Sequence, residues 1–408
     1  MWEDRLSSLV AEFLAGHDPE VIDRTQFLRA RFDAGLAWVH YPVGLGGLDA
    51  LRELQPLVNE AFAAAGAPDN SPHRNGIGLG MAAPTILRYG TPALRKRLLR
   101  PLWTGEEIWC QLFSEPGAGS DLAGVATRAV REPDGGDGAD ADGGNTAHAA
   151  SWIINGQKVW TSLAHQARWG LLLVRTDPDL PKHQGLSYFV CDMTAPGVEV
   201  RPLRQLTGEA EFNEVFLTDV RLSDELRLGE VGQGWQVART TLMNERITIG
   251  GRPMPREGGM IGVLAEAWRH RPDRRTPGLH DELLRLWVRA EAVRLTGMLV
   301  RQQLAAGDPG PEGSVVKLAY ATLTQAASSL ELELLGADGL RYDDWSLRRP
   351  DRVDMLGRTP GYRYLRARGN SIEGGTSEIL RNIIAERVLG LPAEPRADRH
   401  TAWKDLPR

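Results

Sequence analysis

Two stretches of the chain combine glycines with short polar side chains, a pattern that fits ligand binding. The first, Cys110–Asp121, reads C-Q-L-F-S-E-P-G-A-G-S-D, and its apolar start predicts a buried strand that breaks at Glu115-Pro116-Gly117. The glycines let the backbone approach a flat or phosphorylated ligand, and Ser114, Ser120 and Asp121 offer hydrogen-bonding groups. Taken alone, such a stretch is most often only a turn, and it lacks the G-x-G-x-x-G dinucleotide motif.

The second stretch, Ile153–Asp177, predicts three strands. The first two are separated by an Asn155-Gly156 hairpin turn, the second ends at Trp160, and a loop leads to a third apolar strand. Together the two stretches resemble the central β-domain of the acyl-CoA dehydrogenase family of flavoproteins. In that family the S/T-E-P-x-x-G-S-D turn and the N-G-x-K-x-W-x-[ST] hairpin clasp the flavin ring from two sides. The resemblance extends from about Tyr41-Pro42 to Leu391.

The resemblance implies FAD as the cofactor and assigns its contacts residue by residue. The flavin ring is expected to meet the backbone or side chains of Gln111, Phe113, Ser114, Trp160 and Ser162. The adenine half is expected to meet Thr376 and Glu378, and the CoA moiety Ser120. Two of these have structural alternatives, because a strand tryptophan is commonly a core residue and Thr376 precedes a helix as an N-cap would.

The implied reaction removes a proton next to the thioester and a hydride from the following carbon, so the chain must supply a carboxylate base. Many family members carry that base in an E-G-T-S motif before the last helix. Here alignment on G-T-S places Gly374 at the position, one residue after Glu373. The resemblance offers a second location, L-x-x-E-R on a bundle helix, which Leu242–Arg246 matches.

Glu245 is therefore the expected catalytic base, with Arg246 orienting it or neighbouring backbone. The alternative is a solvated Glu–Arg pair on a helix surface. Gly374 has no carboxylate, but its backbone N–H can still polarise the thioester carbonyl, because a backbone donor needs no side chain. We count Arg246 and Gly374 as substrate-site residues beside Ser120.

Two departures from the family pattern concern the FAD pyrophosphate. The R-x-x-F-G segment has no counterpart, since His270–Gly278 is basic but lacks Phe-Gly, and the loop Glu333–Gly339 has acid where glutamine is often found. FAD binding through a partner subunit is therefore expected to be weaker or asymmetric. Some relatives with such changes form mixed tetramers that often act on bulky CoA thioesters, such as steroid side-chain or branched acids.

Composition excludes several other classes of protein. The chain has 408 residues, enough for two or three domains, and a net charge of -5 without a basic patch, which speaks against nucleic acid and anionic membranes. Its two cysteines lie in apolar strand-like runs and favour buried free thiols in a cytoplasmic protein. No long apolar run or export signal predicts membrane insertion or secretion.

The predicted fold class is α+β: an N-terminal helical domain, a central antiparallel β-domain and a C-terminal four-helix bundle. The predicted boundaries are 1–108, 109–225 and 226–392, with a polar tail at 393–408. The β-domain contains an insertion, 131–150, rich in Asp, Gly and Ala. A flexible hairpin loop is favoured there over a calcium site, because flanking helices and a closing glutamate are missing, so no metal is expected.

Three functions remain open. The leading hypothesis is a FAD-dependent acyl-CoA dehydrogenase that passes electrons to an electron-transferring flavoprotein and forms homo- or hetero-oligomers, such as a dimer of dimers. The second is a flavin oxidase or monooxygenase on the same scaffold, in which oxygen accepts the electrons. The third is a flavin-poor subunit that completes a partner's site; the pyrophosphate departures favour it, whereas the flavin-ring motifs and Glu245 oppose it.

Overall fold

The computed structural model describes residues 2–71, 73–132, 150–250, 255–305, 310–342, 344–395 and 398–407. The chain divides into two compact units that interrupt one another in sequence. The first unit comprises Met1–Arg201, Asn213–Thr241 and Asp398–Arg408, and the second comprises Pro202–Phe212 and Leu242–Ala397. The domain boundaries at residues 108, 225 and 392 stay a prediction.

The first unit begins with helices, as the apolar periodicity predicts. These are α1 (Trp2–Gly16), α2 (Arg24–Asp33), α3 (Gln55–Ala64), α4 (Ala83–Tyr89) and α5 (Pro92–Thr104). Capping side chains fix two of their starts: Asp23 accepts from the N–H groups of Thr25 and Gln26, and Thr91 accepts from the Leu94 N–H at 3.2 Å. Buried apolar side chains of α1, α2 and α3 form one core, which includes Leu6, Val10, Phe13, Phe27, Val58 and Phe62.

A seven-stranded sheet follows in the described part of the chain. Its strands are β1 (Trp109–Leu112), β2 (Arg128–Arg131), β3 (Ser151–Ser162), β4 (Trp169–Arg175), β5 (Leu186–Asp192), β6 (Val198–Pro202) and β7 (Phe212–Ser223). The order across the sheet is β1-β4-β2-β3-β7-β6, and β5 also pairs with β4. The central strand β4 pairs with β1, β2 and β5, and all seven of its residues are buried.

The sheet is mixed, which differs from the purely antiparallel pairing that the short strands predict. β4 pairs antiparallel with β5 but parallel with β1, in a register that sets Gln111 opposite Leu171. A parallel pair needs a long crossover, and the hairpin of β2 and β3 provides it between β1 and β4. In the insertion, residues 133–149 lie outside the described residues, and so does the choice between a loop and a calcium site.

The predicted Asn155-Gly156 hairpin turn is wrong, because both residues lie inside the continuous strand β3. The Asn155 amide instead donates to Asp219 Oδ1 at 2.9 Å and accepts from the Asp219 N–H at 3.0 Å. Gly156 is required by a close approach, since a Cβ there would stand 2.3 Å from Thr127 Oγ1 and 2.7 Å from the Thr127 Cα. The dipeptide serves packing between strands, whereas its composition is typical of a turn.

The remaining helices follow the sheet. They are α6 (Gly234–Gly250), α7 (Met260–His270), α8 (Pro277–Ala305), α9 (Gly313–Leu335), α10 (Pro360–Ala367) and α11 (Ser377–Ile383). Within the second unit α7, α8, α10 and α11 all pack against α9. The core that α7, α8 and α9 share contains Met260, Ile261, Leu264, Leu283, Leu286, Ala327 and Leu330. The order of helices, sheet and helices confirms the predicted fold class.

The predicted polar tail is partly ordered, since residues 398–407 return to the first unit. The Trp403 indole donates to the Gly124 carbonyl at 3.1 Å, and the Arg175 guanidinium lies 4.5 Å from the centre of its ring. Lys182 Nζ bridges Asp398 at 2.6 Å and Asp121 at 2.9 Å. One buried-facing tryptophan therefore anchors a segment whose composition is otherwise polar. Across the described residues, no helix has the length and apolar character that a bilayer span requires.

Candidate active site

The two sequence motifs meet in the first unit, at the end of β1 and the second half of β3. The Val159 N–H donates to the Ser114 carbonyl at 2.8 Å, and Lys158 Nζ donates to the Phe113 carbonyl at 3.1 Å. The turn after β1 closes on itself, because Glu115 and Ala118 exchange two backbone hydrogen bonds of 3.0 Å. The S-E-P turn and the K-V-W-T-S part of β3 are thus hydrogen-bonded to one another.

A buried ion pair holds these motifs together, and the sequence reasoning did not identify it. Lys158 is fully buried, and its Nζ donates to Glu115 Oε1 at 2.8 Å and to the Leu173 carbonyl at 2.7 Å. Glu115 also accepts from the N–H groups of Ala126 and Thr127 at 2.6 and 2.9 Å. A lysine inside the strand pattern of the second motif, together with a glutamate in the first motif, is the sequence signal that would have indicated this pair.

The Glu115–Lys158 pair is ionised. Burial by itself would raise the pKa of Glu115, but the Lys158 charge and the donated hydrogen bonds outweigh it and hold that pKa below its ordinary value. Burial lowers the pKa of Lys158 against the opposing pull of Glu115. Three oxygen acceptors surround Nζ, the number that an ammonium group can satisfy, so we assign the charged form to both partners.

Trp160 is not a core residue, although it lies on a strand. Its side chain is 57 % exposed, and its backbone has a φ of 60°. A left-handed conformation costs a residue with a Cβ roughly 1–2 kcal/mol, and such outliers concentrate at functional sites. The strain turns the indole outward at the place where β3 lies beside Ser114, which favours a ligand contact over the core alternative.

The other ring-contact candidates of the first unit divide by burial. Gln111, Ser114 and Ser162 are half-buried. The Phe113 ring is buried and packs edge-on against Tyr188, with 5.7 Å between ring centres. Phe113 can therefore serve a ligand only through its backbone. Ser120 is exposed in the turn that follows.

In the second unit, the residues before α11 form a tight turn. Gly374 and Gly375 have φ angles of 63° and 95°, and the Thr376 side chain accepts from the Ile379 N–H at 3.2 Å. Thr376 is thus an N-cap, the structural alternative raised for it, and this role occupies its hydroxyl as an acceptor. Glu378 is exposed on the first turn of α11, where its carboxylate can face solvent or a ligand.

Glu373 is held by a guanidinium and is unsuited to act as a base. Arg366 donates to its two carboxylate oxygens at 3.1 and 2.9 Å. The same Arg366 donates to both oxygens of Glu211 at 3.3 Å. Such bidentate pairing engages both oxygens of Glu373 and holds its carboxylate against Arg366.

Glu245 is half-buried on α6, in the part of the helix that belongs to the second unit. The side chain of Arg246 lies outside the part of the chain that the structure describes. Apolar side chains precede Glu245 on the helix, among them Leu242 and Met243, which are also half-buried. This setting is compatible with a base beside an apolar acyl chain, and the assignment of Glu245 stays a prediction.

The residues of each unit fit the parts of FAD that the resemblance assigns to them, except at the pyrophosphate. The first unit offers an exposed indole, two half-buried hydroxyls and open glycine backbone, since a Cβ at Gly117 or Gly119 would meet nothing within 4 Å. The second unit offers Glu378 at a helix start. Among the described residues, no group of three or more His, Cys, Asp or Glu side chains is placed to hold a metal ion.

Comparison with protein families covers nearly the whole chain. The N-terminal domain of acyl-CoA dehydrogenases matches residues 2–106, the middle domain residues 110–220 and the C-terminal domain residues 232–389. The chain is 40 % identical over 368 residues to acyl-CoA dehydrogenase FadE34 of Mycobacterium tuberculosis, covering 88 % of this chain and 45 % of that protein. It therefore spans less than half the length of FadE34.

Two further comparisons cover this chain and the compared chain almost completely. Acyl-CoA dehydrogenase IpdE1 of Mycobacterium tuberculosis is 36 % identical over 95 % of each chain. The solved ChsE4-ChsE5 complex of Mycobacterium tuberculosis is 25 % identical and has a TM-score of 0.67, with 96 % of this chain and 98 % of that chain covered. On these domain matches and identities, the chain belongs to the acyl-CoA dehydrogenase family of flavoprotein oxidoreductases.

Proposed function

We propose that this protein is a FAD-dependent dehydrogenase that converts an acyl-CoA thioester to the 2-enoyl-CoA and passes the electrons to an electron-transferring flavoprotein. The observation that carries the proposal is the junction of the two motifs, where Lys158 and Val159 bind the S-E-P turn and Trp160 turns outward. FAD, when bound, would supply the hydride acceptor for this reaction.

The residues of this chain divide the remaining work. Glu245 takes the proton from the carbon next to the thioester carbonyl, and Arg246 orients the Glu245 carboxylate. The second family location is favoured because Gly374 has no carboxylate and Arg366 holds Glu373. The Gly374 N–H donates to the thioester oxygen, where negative charge develops as the proton leaves. Ser120 contacts the CoA moiety.

The proposed cofactor contacts separate into two groups. The backbone of Phe113 and the side chains of Gln111, Ser114, Trp160 and Ser162 seat the flavin ring, while Thr376 and Glu378 meet the adenine half. Since its side chain caps α11, Thr376 would meet the adenine half through its backbone or its remaining hydroxyl hydrogen. The cytoplasmic location stays a prediction.

Exchange of Glu245 for glutamine tests the assignment of the base. Glu245→Gln keeps the size and hydrogen bonding of the side chain but cannot accept the substrate proton, so we expect bound flavin with a rate of reduction by acyl-CoA lowered by about 10²–10⁴. Anaerobic stopped-flow absorbance of the flavin, with a panel of straight, branched and steroid-chain thioesters, gives the rate and the preferred acyl group. Glu12→Gln, at an exposed position of α1, is the matched control.

A Glu245→Gln protein that reduces its flavin as fast as the wild type would exclude Glu245 as the base. Air admitted after anaerobic reduction separates a dehydrogenase from an oxidase, because only an oxidase reoxidises rapidly with oxygen. Reoxidation by an added electron-transferring flavoprotein tests the proposed electron acceptor.

A second candidate function is a flavin-poor subunit of a mixed oligomer. It is favoured by the missing R-x-x-F-G segment and by the use of the Thr376 side chain as an N-cap. The ChsE4-ChsE5 structure shows that chains of this fold assemble with a different chain. Purification alone and together with a paralogous subunit distinguishes the candidates: a colourless protein that yields a yellow complex only with its partner would favour the second.

A further inference from the structure

The segment Glu373–Gly375 is fastened to the second unit on both sides of Gly374. Before it, Arg366 forms a bidentate pair with the Glu373 carboxylate, with distances of 3.1 and 2.9 Å. After it, Lys317 Nζ donates to the Gly375 carbonyl at 2.6 Å. Arg366 lies on α10 and Lys317 lies on α9, so the segment is bound to two different helices.

Without these two contacts, the backbone of Gly374 and Gly375 would be flexible. Gly374 and Gly375 both adopt left-handed φ angles, and ordering two glycines costs more conformational entropy than ordering any other pair. No acceptor among the described residues receives a hydrogen bond from the Gly374 N–H. This N–H is therefore a donor whose direction is fixed by its neighbours rather than by a partner of its own.

Lys317 and Arg366 are themselves restricted by the groups around them. Lys317 is only 1 % exposed, so its stem is packed and its ammonium has little freedom. Arg366 is anchored on its far edge by Glu211, which is 3 % exposed, and it also donates to Asn370 Oδ1 at 3.4 Å. A guanidinium bound by two carboxylates on a helix is a stiff support, because its planar fork fixes the direction of each bond.

We propose that Lys317 and Arg366 are positioning residues that aim the Gly374 N–H at the thioester carbonyl. The inference rests on the proposed function, since it gives the Gly374 donor the role stated there. Arg366 acts through Glu373, and Lys317 acts through the Gly375 carbonyl. Neither side chain touches the reacting atoms in this proposal.

Two substitutions remove the contacts of Lys317 and Arg366 with this segment while leaving similar side chains in place. Lys317→Met keeps the length of the stem without the ammonium, and Arg366→Lys keeps a charge without the fork. Arg363→Lys is the matched control, because Arg363 forms an equivalent buried bidentate pair with Glu331 in the same unit, at 3.0 Å for its Nε, without touching Glu373–Gly375.

The direct readout is the infrared carbonyl stretch of bound 3-thiaoctanoyl-CoA carrying carbon-13 at its thioester carbonyl. This probe keeps the carbonyl but cannot be dehydrogenated at the sulfur position. A donated hydrogen bond lowers the stretching frequency, so wild type should shift it downward relative to free probe. Lys317→Met and Arg366→Lys should lose about half of that shift or more, because hydrogen bonds weaken steeply with misalignment. Arg363→Lys should retain it.

The affinity of a second probe distinguishes a misdirected Gly374 N–H from general damage to the binding site. Octyl-CoA thioether lacks the carbonyl, so its affinity should be unchanged in both variants, whereas the affinity for 3-thiaoctanoyl-CoA falls by up to about tenfold, the loss expected for one hydrogen bond. Equal losses for both probes, or an equal loss of the carbonyl shift in Arg363→Lys, would overturn the positioning role. Lys317→Met and Arg366→Lys proteins that retain the full carbonyl shift would overturn the positioning role too.

Failure of the proposed function has a different signature. A wild-type protein that neither shifts the probe carbonyl nor reduces its flavin with any acyl-CoA would reject both the dehydrogenase and the Gly374 donor. A wild type that does both, with variants that match it, would reject the positioning role alone.

Discussion

Glu115 in the first unit and Glu211 in the second are both almost wholly buried, with 8 % and 3 % exposure, and both face a basic side chain. Their pKa values nevertheless move in opposite directions. The pKa of Glu115 lies below its ordinary value of 4.5, and the pKa of Glu211 lies above it. Burial raises both, so the difference must come from the neighbouring groups.

The neighbours of Glu115 all favour its charged form. One carboxylate faces one ammonium, and two backbone N–H groups complete its hydrogen bonds. Burial has the largest influence on the pKa of both carboxylates, but around Glu211 one guanidinium is shared: Arg366 also binds Glu373, and the charges of Glu373 and Glu209 add repulsion. Glu115 has the Lys158 ammonium to itself, whereas Glu211 shares the Arg366 guanidinium with Glu373.

Loss of the Lys158 ammonium should break this comparison most strongly. Lys158→Met leaves the Glu115 carboxylate buried without its counter-ion, so we expect the free energy of unfolding to fall by about 3–5 kcal/mol. Urea unfolding followed by circular dichroism measures the change. Lys404→Met, which removes a surface pair with Asp179, is the control and should leave the midpoint near that of wild type. A small effect at Lys158 would show that the pair is not ionised.

The opposite pKa shifts should appear as opposite pH dependences. The stabilisation from Glu115 is complete above pH 4.5 and is lost as the pH falls through its lowered pKa. The stabilisation from Glu211 is complete below pH 4.5 and is lost as the pH rises through its raised pKa. Each pKa unit corresponds to about 1.4 kcal/mol.

Two glutamine variants test this sign. Glu115→Gln should flatten the acid side of the stability profile, and Glu211→Gln should flatten the side above pH 4.5, measured as urea midpoints from about pH 3 to about pH 8. The slopes of the profiles are compared rather than their heights, because both variants also lose hydrogen bonds. Matching slopes in the two variants would contradict the assignment.

The smallest effect is expected from removing the competitor for Arg366. Among the described residues, Glu373→Gln leaves Glu211 as the only carboxylate paired with Arg366, so the pKa of Glu211 should move down toward its ordinary value. The slope above pH 4.5 should then weaken without vanishing, since burial and Glu209 still act. Glu333→Gln, at an exposed position of α9, should keep the wild-type slope. An unchanged slope in Glu373→Gln would show that Glu373 does not compete for Arg366.

Local patterns in the sequence predicted a large part of this fold. The helix periodicity, the Thr91 cap and the β-branched runs depend on neighbours a few residues apart, so the helices and strands follow from the chain itself. The site residues from Gln111 to Ser120 and from Trp160 to Ser162 were assigned through the family resemblance, which rests on short stretches of neighbouring residues, and they stay a prediction. Their contact through Lys158 and Val159 extends over more than forty residues and only the structure shows it.

One failed expectation and two features that the sequence patterns did not indicate all involve distant partners. Asn155-Gly156 has the composition of a hairpin turn, but Asp219 and Thr127 determine its conformation. The pairing of Arg366 with Glu211 joins residues 155 positions apart, and no periodicity indicates it. The order of residues 398–407 depends on one indole ring that finds the Gly124 carbonyl and Arg175. Tertiary contacts of this kind leave no local signature.

The ordered carboxyl-terminal segment has a consequence for how the molecule is made. Because the first unit is assembled from three separated pieces of chain, the ribosome delivers its last piece only after the entire second unit has been synthesised. The helices and sheet that emerge earlier lack the Trp403 indole until then, so the Gly124 carbonyl is without this donor and Arg175 keeps only its hydrogen bonds to nearby carbonyls such as those of Ala123 and Lys182. The first unit can therefore be completed only after the second unit has been synthesised, and a single proteolytic cut in the second unit would leave two fragments that the Trp403 contacts still join.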